Sequence, residues 1–229
     1  MRVYRIALGL ALLVFPACGK SECHKTYRGT ANVSNKEDLT QFFCTEDVQG
    51  TVWVEDANLT TLTFPALKTV SGNFIVQMNF NLTSLDLPAL TNVGGEFHLQ
   101  TNPSLTSLTV PSLTTIQTLN WRDLSFAVLD VPQLAQTTAD FDLTDCNGLT
   151  DVTMPNLTAV AGDFVIANTT VASLAGLSQL SSVGGAFVME YNCALSSSAA
   201  QTLWQQVATQ QGVGGAVTVA NNAGTGSCP

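Results

Sequence analysis

Few side chains in this chain of 229 residues have the type and spacing for chemistry. It carries two histidines, His24 and His98, six cysteines, and eight Lys and Arg against 17 Asp and Glu. A Ser-His-Asp or Cys-His site needs an imidazole beside its nucleophile and an acid to orient it. His24 lies in an aperiodic polar stretch, so only His98 is placed for that role, and no Ser or Cys pattern marks a partner. No C-x-x-C spacing occurs, and scarce histidine argues against zinc. Gly94-Gly95 and Gly184-Gly185 lack the context of a phosphate-binding loop. A β-helix polysaccharide lyase needs basic residues on its acidic sugar, and from residue 44 onward only Lys68 and Arg122 are basic. The reading is therefore non-enzymatic, with no cofactor. One cation question stays open. Asp140 and Asp163 hold equivalent places in adjacent repeats, which puts them about 4.8 Å apart if the repeats stack as strands. With Asp142 and Asp145 nearby, such carboxylates repel unless water or calcium intervenes.

The leader speaks to location. Arg2 and Arg5 precede the apolar run of residues 6–15, which is too short to span a bilayer. The Phe15-Pro16-Ala17-Cys18 that follows resembles a bacterial lipobox, although Phe15 stands where leucine is usual. That resemblance implies a signal peptide over 1–17, a lipid on Cys18 and a membrane anchor. Gly19 rather than aspartate after Cys18 favours the outer membrane or cell surface of a bacterial envelope. The formal charge is −9, so nucleic acid is excluded as a partner. Sequons at Asn32, Asn58, Asn81, Asn156 and Asn168 follow from a Thr-rich composition.

What must position any site is a repeat. Pro65, Pro88, Pro111, Pro132 and Pro155 stand 23, 23, 21 and 23 residues apart. Around them runs L-x-x-L-x-φ-P-x-L-x-x-V-x-G-x-F-x-φ-x-x-N, with φ apolar, as in LTSLDLPALTNVGGEFHLQTN. Self-similarity at this period means a solenoid whose coils bury their apolar edges against each other. Each coil supplies three short strands, with Leu62/Phe64, Leu67/Val70 and Phe74/Val76 inward in one coil. Gly72, Gly95, Gly162 and Gly185 precede the inward Phe by two and read as bends or positive-φ corners. Asn79, Asn102, Asn168, Asn192 and Asn222 recur at a corner, where inward asparagine satisfies backbone groups of adjoining coils, and Cys146 takes that place once as a buried thiol. Between Pro111 and Pro132 one coil loses two residues and its glycine; there Leu119 and Trp121 point in and Asn120 and Arg122 out.

Residues 18–33 read as a polar tether and 34–229 as the solenoid domain. A helix over about 35–43, with Ser34 and Glu37 as a capping box, covers the first coil, and a second over about 197–209 covers the last.

The stretch from Cys44 to Val54, with the ending Asn192-Cys193-Ala194-Leu195, Trp204, a Gly-Gly strand and Cys228, resembles a receptor L domain. The repeats are similar to those of fungal cell-wall proteins and bacterial surface lipoproteins of the same build. The resemblance implies an all-β, right-handed parallel β-helix with short helical caps, used elsewhere to bind ligands. Disulfides Cys23–Cys44 and Cys193–Cys228 would bracket the two caps, each contributing roughly 3–4 kcal/mol by loop closure.

The expected function is a non-catalytic binding or adhesion module for a protein or glycan, lipid-anchored on the cell surface. The alternatives are a passive envelope structural protein and, distantly, a carbohydrate-active β-helix enzyme. Alternation places Trp53, Ile75, His98, Arg122, Asp142, Val165 and Val188 outward in one row, the expected binding face.

Overall fold

The period-2 alternation builds the architecture. In the computed structural model, which describes residues 25–222, the chain is a parallel β-solenoid of about seven turns, with coils of about 23 residues and two short helices. One coil contributes strands Thr61–Thr63, Thr69–Val70 and Phe74–Gln77. The next lays Ser84–Asp86 and Asn92–Gln100 on them in parallel register. Inward residues therefore stack in columns. Phe74, Phe97, Leu119, Phe141, Phe164 and Phe187 form one; Val76, Leu99, Trp121, Leu143, Ile166 and Met189 form another, and all twelve are fully buried. Phe141, Phe164 and Phe187 stack nearly parallel, with centroids 5.0 and 5.2 Å apart. Trp121 meets Phe97 edge-on at 5.2 Å, a favoured aromatic geometry.

The prolines mark a turn. Leu90, Leu113, Leu134 and Leu157 donate their N–H to Leu87, Val110, Val131 and Met154 three residues back. Pro88, Pro111, Pro132 and Pro155 thus fall at the second position of β-turns, where proline's fixed φ fits and no N–H is needed. Leu180 donates to Leu177 in the same way, so the turn survives with Ser178 in place of proline.

The glycines act differently from the expectation. Gly72, Gly95, Gly162 and Gly185 do not have positive φ. They are small because the preceding coil lies against them. A Cβ on Gly162 or Gly185 would stand 2.1 Å from Oδ1 of Asp140 or Asp163. Positive φ falls instead one residue before the buried corner, on Asp56, Met78, Thr101, Asp123, Asp145, Asn168, Tyr191 and Asn221. Asp and Asn tolerate the left-handed region best among residues with a side chain, and they hold five of these eight places. Where the irregular coil lacks its glycine, Thr115–Arg122 runs on as one strand with a register shift between Ile116 and Thr118.

The residue after each left-handed one turns inward and forms the expected ladder. Oδ1 of Asn79 accepts from Ala57 N at 3.0 Å and Oδ1 of Asn102 from Asn79 N at 3.1 Å. Asn102 donates to the carbonyls of Val76 and Gln100 at 2.9 and 3.1 Å. Asn192 and Asn222 repeat the arrangement at the C-terminal end. Asn168 does not belong to it: it occupies the left-handed place, and buried Thr169 takes the ladder position, bonded to Oδ1 of Asn192. Leu124 interrupts the ladder in the middle coils, and Cys146 holds the place with a buried thiol directed at the carbonyls of Trp121 and Thr144.

Both caps are present. Helix α1, Lys36–Phe42, starts one residue later than its capping box predicted: Asn35 accepts from Asp38 N at 2.9 Å, and Asp38 reaches back to Ser34 N at 2.9 Å. The reciprocal pair is thus Asn35 and Asp38, since an Asn cap serves as well as Ser and the shorter carboxylate reaches Ser34. Helix α2, Ser197–Thr209, is capped by Ser196 and buries Ala200, Leu203 and Val207. The tether is shorter than its polarity implied. Thr26–Arg28 and Ala31–Val33 are strands paired with Asp47–Gln49 and Val52–Glu55, so the solenoid begins before α1. Ala31 and Val33 are buried in that register, opposite Val52 and Val54.

Asn102→Ala leaves the buried Asn79 N–H without its acceptor and removes the side-chain bonds to the Val76 and Gln100 carbonyls, which is expected to cost about 2–4 kcal/mol. Exposed Asn81→Ala, which loses one surface contact, is expected to change stability by less than about 0.5 kcal/mol. Thermal and urea unfolding of both variants check the difference.

Candidate functional site: the outer face of the long strands

The outer face of the long-strand sheet carries two rows per strand. Register places Trp53, Ile75, His98, Asn120, Asp142, Val165, Val188 and Thr218 in the first. The second holds Glu55, Gln77, Gln100, Arg122, Thr144, Ala167 and Glu190. Two expectations need correction. Arg122 stands in the second row and Asn120 takes its place in the first, because the irregular coil closes in a different number of residues. Ile75 is on the outer face as expected yet only 8% exposed, since side chains of the flanking coils close over it. The strand Ala31–Val33 sets Asn32 beside Trp53, which is half-buried at the rim of a cleft of about 240 Å³ with Ser34, Glu55 and Asp56.

These side chains are bonded to one another. Trp53 Nε1 donates to Glu55 Oε2 at 2.9 Å, and Gln77 Nε2 donates to Glu55 Oε1 at 2.9 Å. His98 places Nδ1 3.1 Å from Glu96 Oε1 and Nε2 3.2 Å from Gln100 Oε1. Asn120 Nδ2 donates to the same Glu96 oxygen at 2.6 Å, and Arg122 Nε donates to Asn120 Oδ1 at 2.9 Å. Arg122 also pairs with Asp142, which accepts from Thr144. Thus the face divides. From Trp53 to Thr144 it is a polar lattice; toward the C-terminus it is mostly small and apolar, with Val165, Ala167, Ala186 and Val188 beside Glu190 and Thr218. Glu55, Gln77, Glu96, Gln100 and Asn120 were not singled out from the sequence. Taking both outward positions of each strand rather than one would have found them.

The other surfaces are occupied by self-support. Thr83, Thr91, Thr114, Thr150 and Thr158 each donate a hydroxyl to a carbonyl of the preceding coil, at 2.8–3.1 Å. Lys68 is held by Glu46 at 2.6 Å, and Lys25 joins the same carboxylate at 3.0 Å. The Lys68 hydrogen bond and then Lys25 hold the Glu46 carboxyl below its usual range, and Glu46 raises Lys68 in return.

Asp140 and Asp163 are engaged by backbone rather than by each other. Oδ1 of Asp140 accepts from Asp163 N at 2.9 Å, and Oδ1 of Asp163 accepts from Ala186 N at 2.7 Å. Asn73 does the same for Glu96 N at 2.9 Å. Each carboxylate therefore extends the coil-to-coil ladder, and among the described residues no group of three or more His, Cys, Asp or Glu is gathered for a metal.

Of the cysteines in the described region, Cys44 and Cys193 are disulfide-bonded. Cys18, Cys23 and Cys228 lie outside the described residues. Cys146 is free, fully buried, and points its Sγ at the carbonyls of Thr144 and Trp121, 3.4 and 3.6 Å away. Burial pushes its thiol up to about 11.

Searches of family models, of curated proteins and of solved structures return no match to this chain.

The Cys146 thiol is expected to resist alkylation in the folded protein and to react on unfolding. Its folded pKa lies above the value of 9.0 for an exposed thiol. The unfolded state therefore ionises first, so this group's contribution is intact below pH 9 and is lost as pH rises toward 11. Timed alkylation with mass spectrometry, and unfolding of Cys146→Ala beside the parent across that window, check both statements.

Proposed function

We propose that this chain is a lipid-anchored bacterial envelope protein that displays its solenoid as a non-catalytic binding module of receptor L-domain type. One observation carries the reading. Among the described residues, only the long-strand face bears a lattice of indole, imidazole, guanidinium, amide and carboxylate groups, held on strands rather than loops. Trp and Arg are favoured interface anchors, and pre-ordered side chains lose little entropy on binding. The partner class is a protein or a glycan. The passive structural reading has its own support, since the polar groups of this lattice already have partners within the chain.

The anchor and the disulfides belong to the same proposal. Cys18 carries the lipid, Cys23 pairs with Cys44, and Cys193 pairs with Cys228. Mass spectrometry of protein extracted from envelopes is expected to find an acylated N-terminal Cys18 and those two linked peptides. Undiminished recovery of Cys18→Ala in membranes, or any other pairing, counts against it.

Binding is tested with the intact chain against envelope proteins and glycans. Trp53→Ala and Arg122→Ala are each expected to weaken the partner found by more than about 1 kcal/mol while leaving the fold unchanged. Thr63→Ala and Thr109→Ala, on another sheet, are expected to have no effect. Equal behaviour of all four places the binding surface elsewhere, and no saturable partner at all favours the passive role.

A further inference from the structure

The last coil ends in an edge that the described structure leaves open. Val217–Ala220 pairs with Phe187–Glu190 on one side and, among the described residues, has no strand on the other. Val217 and Val219 continue the two inward columns, above Phe187 and Met189. Every earlier member of those columns is buried, but Val217 is 43% exposed. Helix α2 packs on Gly212–Val213 and Ser173–Gly176 and touches this strand, yet leaves Val217 open.

Sheet edges are ordinarily blunted by lysine, proline, a bulge or a covering element. The strand Val217-Thr218-Val219-Ala220 has no lysine and no proline. Beyond Glu190 the chain contains no Asp, Glu, Lys, Arg or His at all, although its net charge is −9. The N-terminal end is the opposite: Lys25, Arg28, Lys36, Glu37, Asp38, Glu46 and Asp47 surround its first strands, and α1 covers it. By register the acidic group nearest this edge is Glu190, one strand back beside Ala220, so two acidic copies that approach through their C-terminal ends meet no charge on the edge strand itself.

We infer that this edge is a homotypic interface, in which Val217–Ala220 pairs antiparallel with the same strand of a second copy across a twofold axis at Thr218. Parity sets the register. Opposed residues in an antiparallel pair project to the same side of the sheet, so inward Val217 faces Val219 of the partner subunit and outward Thr218 faces itself. The two cores then adjoin, and the exposed Val217 of each copy is covered. A twofold axis normal to the sheet leaves both long-strand faces side by side and facing the same way. The dimer therefore presents the Trp53-to-Asp142 surface twice, a geometry suited to multivalent attachment.

Sedimentation velocity of the full chain over a concentration series tests this. The expected result is a reversible shift from monomer to dimer. Val217→Lys is expected to raise the dimer dissociation constant about tenfold or more, by placing a charge in the new edge pair. Thr61→Lys, exposed on a different sheet, is expected to leave it unchanged. Circular dichroism confirms that both variants fold. Thr218→Cys provides a second readout, because self-opposed residues lie within disulfide reach. It is expected to give a covalent dimer on a non-reducing gel where Thr61→Cys does not. A monomer at every concentration overturns the inference. So does association indifferent to Val217→Lys, growth beyond dimer, or a dimer that Thr218→Cys fails to trap.

Discussion

Each coil of this molecule relies on its neighbour to satisfy the backbone groups at its own corners. A coil of about 23 residues must turn three times, and every turn exposes N–H and carbonyl groups that its own strands cannot pair. Side chains supply the missing partners. Asn79, Asn102, Asn192 and Asn222 do so inside one corner, and Asn73, Asp140 and Asp163 do so at another. Threonine hydroxyls back-bond along the outside. Because these bonds run between coils, they hold only when the register is correct by a whole repeat. That requirement explains why the spacing is so regular and why polar residues are abundant without many charges.

The same requirement shapes the glycines. A corner where one coil's Asp or Asn reaches across to the next coil's N–H has no room for a Cβ, so glycine is set there by contact rather than by φ. The strained left-handed residues are held one corner further on, where short polar side chains dominate. The irregular coil runs on as one strand, Thr115–Arg122, as Asn92–Gln100 does before it, with a register irregularity between Ile116 and Thr118. Beyond it the register is regular, and Arg122 pairs with Asp142 while Asn120 bonds Glu96, which joins the two halves of the outer lattice.

Coil-to-coil support and the outer side-chain lattice are therefore drawn from different surfaces. The short-strand sheets and corners spend their polar groups on neighbouring coils. The long-strand face bonds laterally among its own side chains, which leaves planar groups ordered on a flat and rigid support. Trp53 stands at the end of that face beside a cleft, half-buried because the chain before α1 adds another pair of strands.

Much of this was legible in the residues. Proline spacing, the alternating apolar positions and the recurrent Asn or Cys corner determined a solenoid, its inward columns, its two helical caps and the buried thiol of Cys146, because those features depend on local periodicity and on neighbours one repeat away. Three matters needed the folded chain. Which of Asn168 and Thr169 turns inward depends on where the left-handed residue falls, a choice of one position that composition does not encode. Whether Arg122 or Asn120 faces His98 depends on how a shortened coil closes, and Ile75 is outward in phase yet covered by neighbours from other coils. The fates of Asp140 and Asp163 were decided by backbone N–H groups a coil away. Periodicity assigns a residue to a side of the strand; only tertiary packing decides what meets it there.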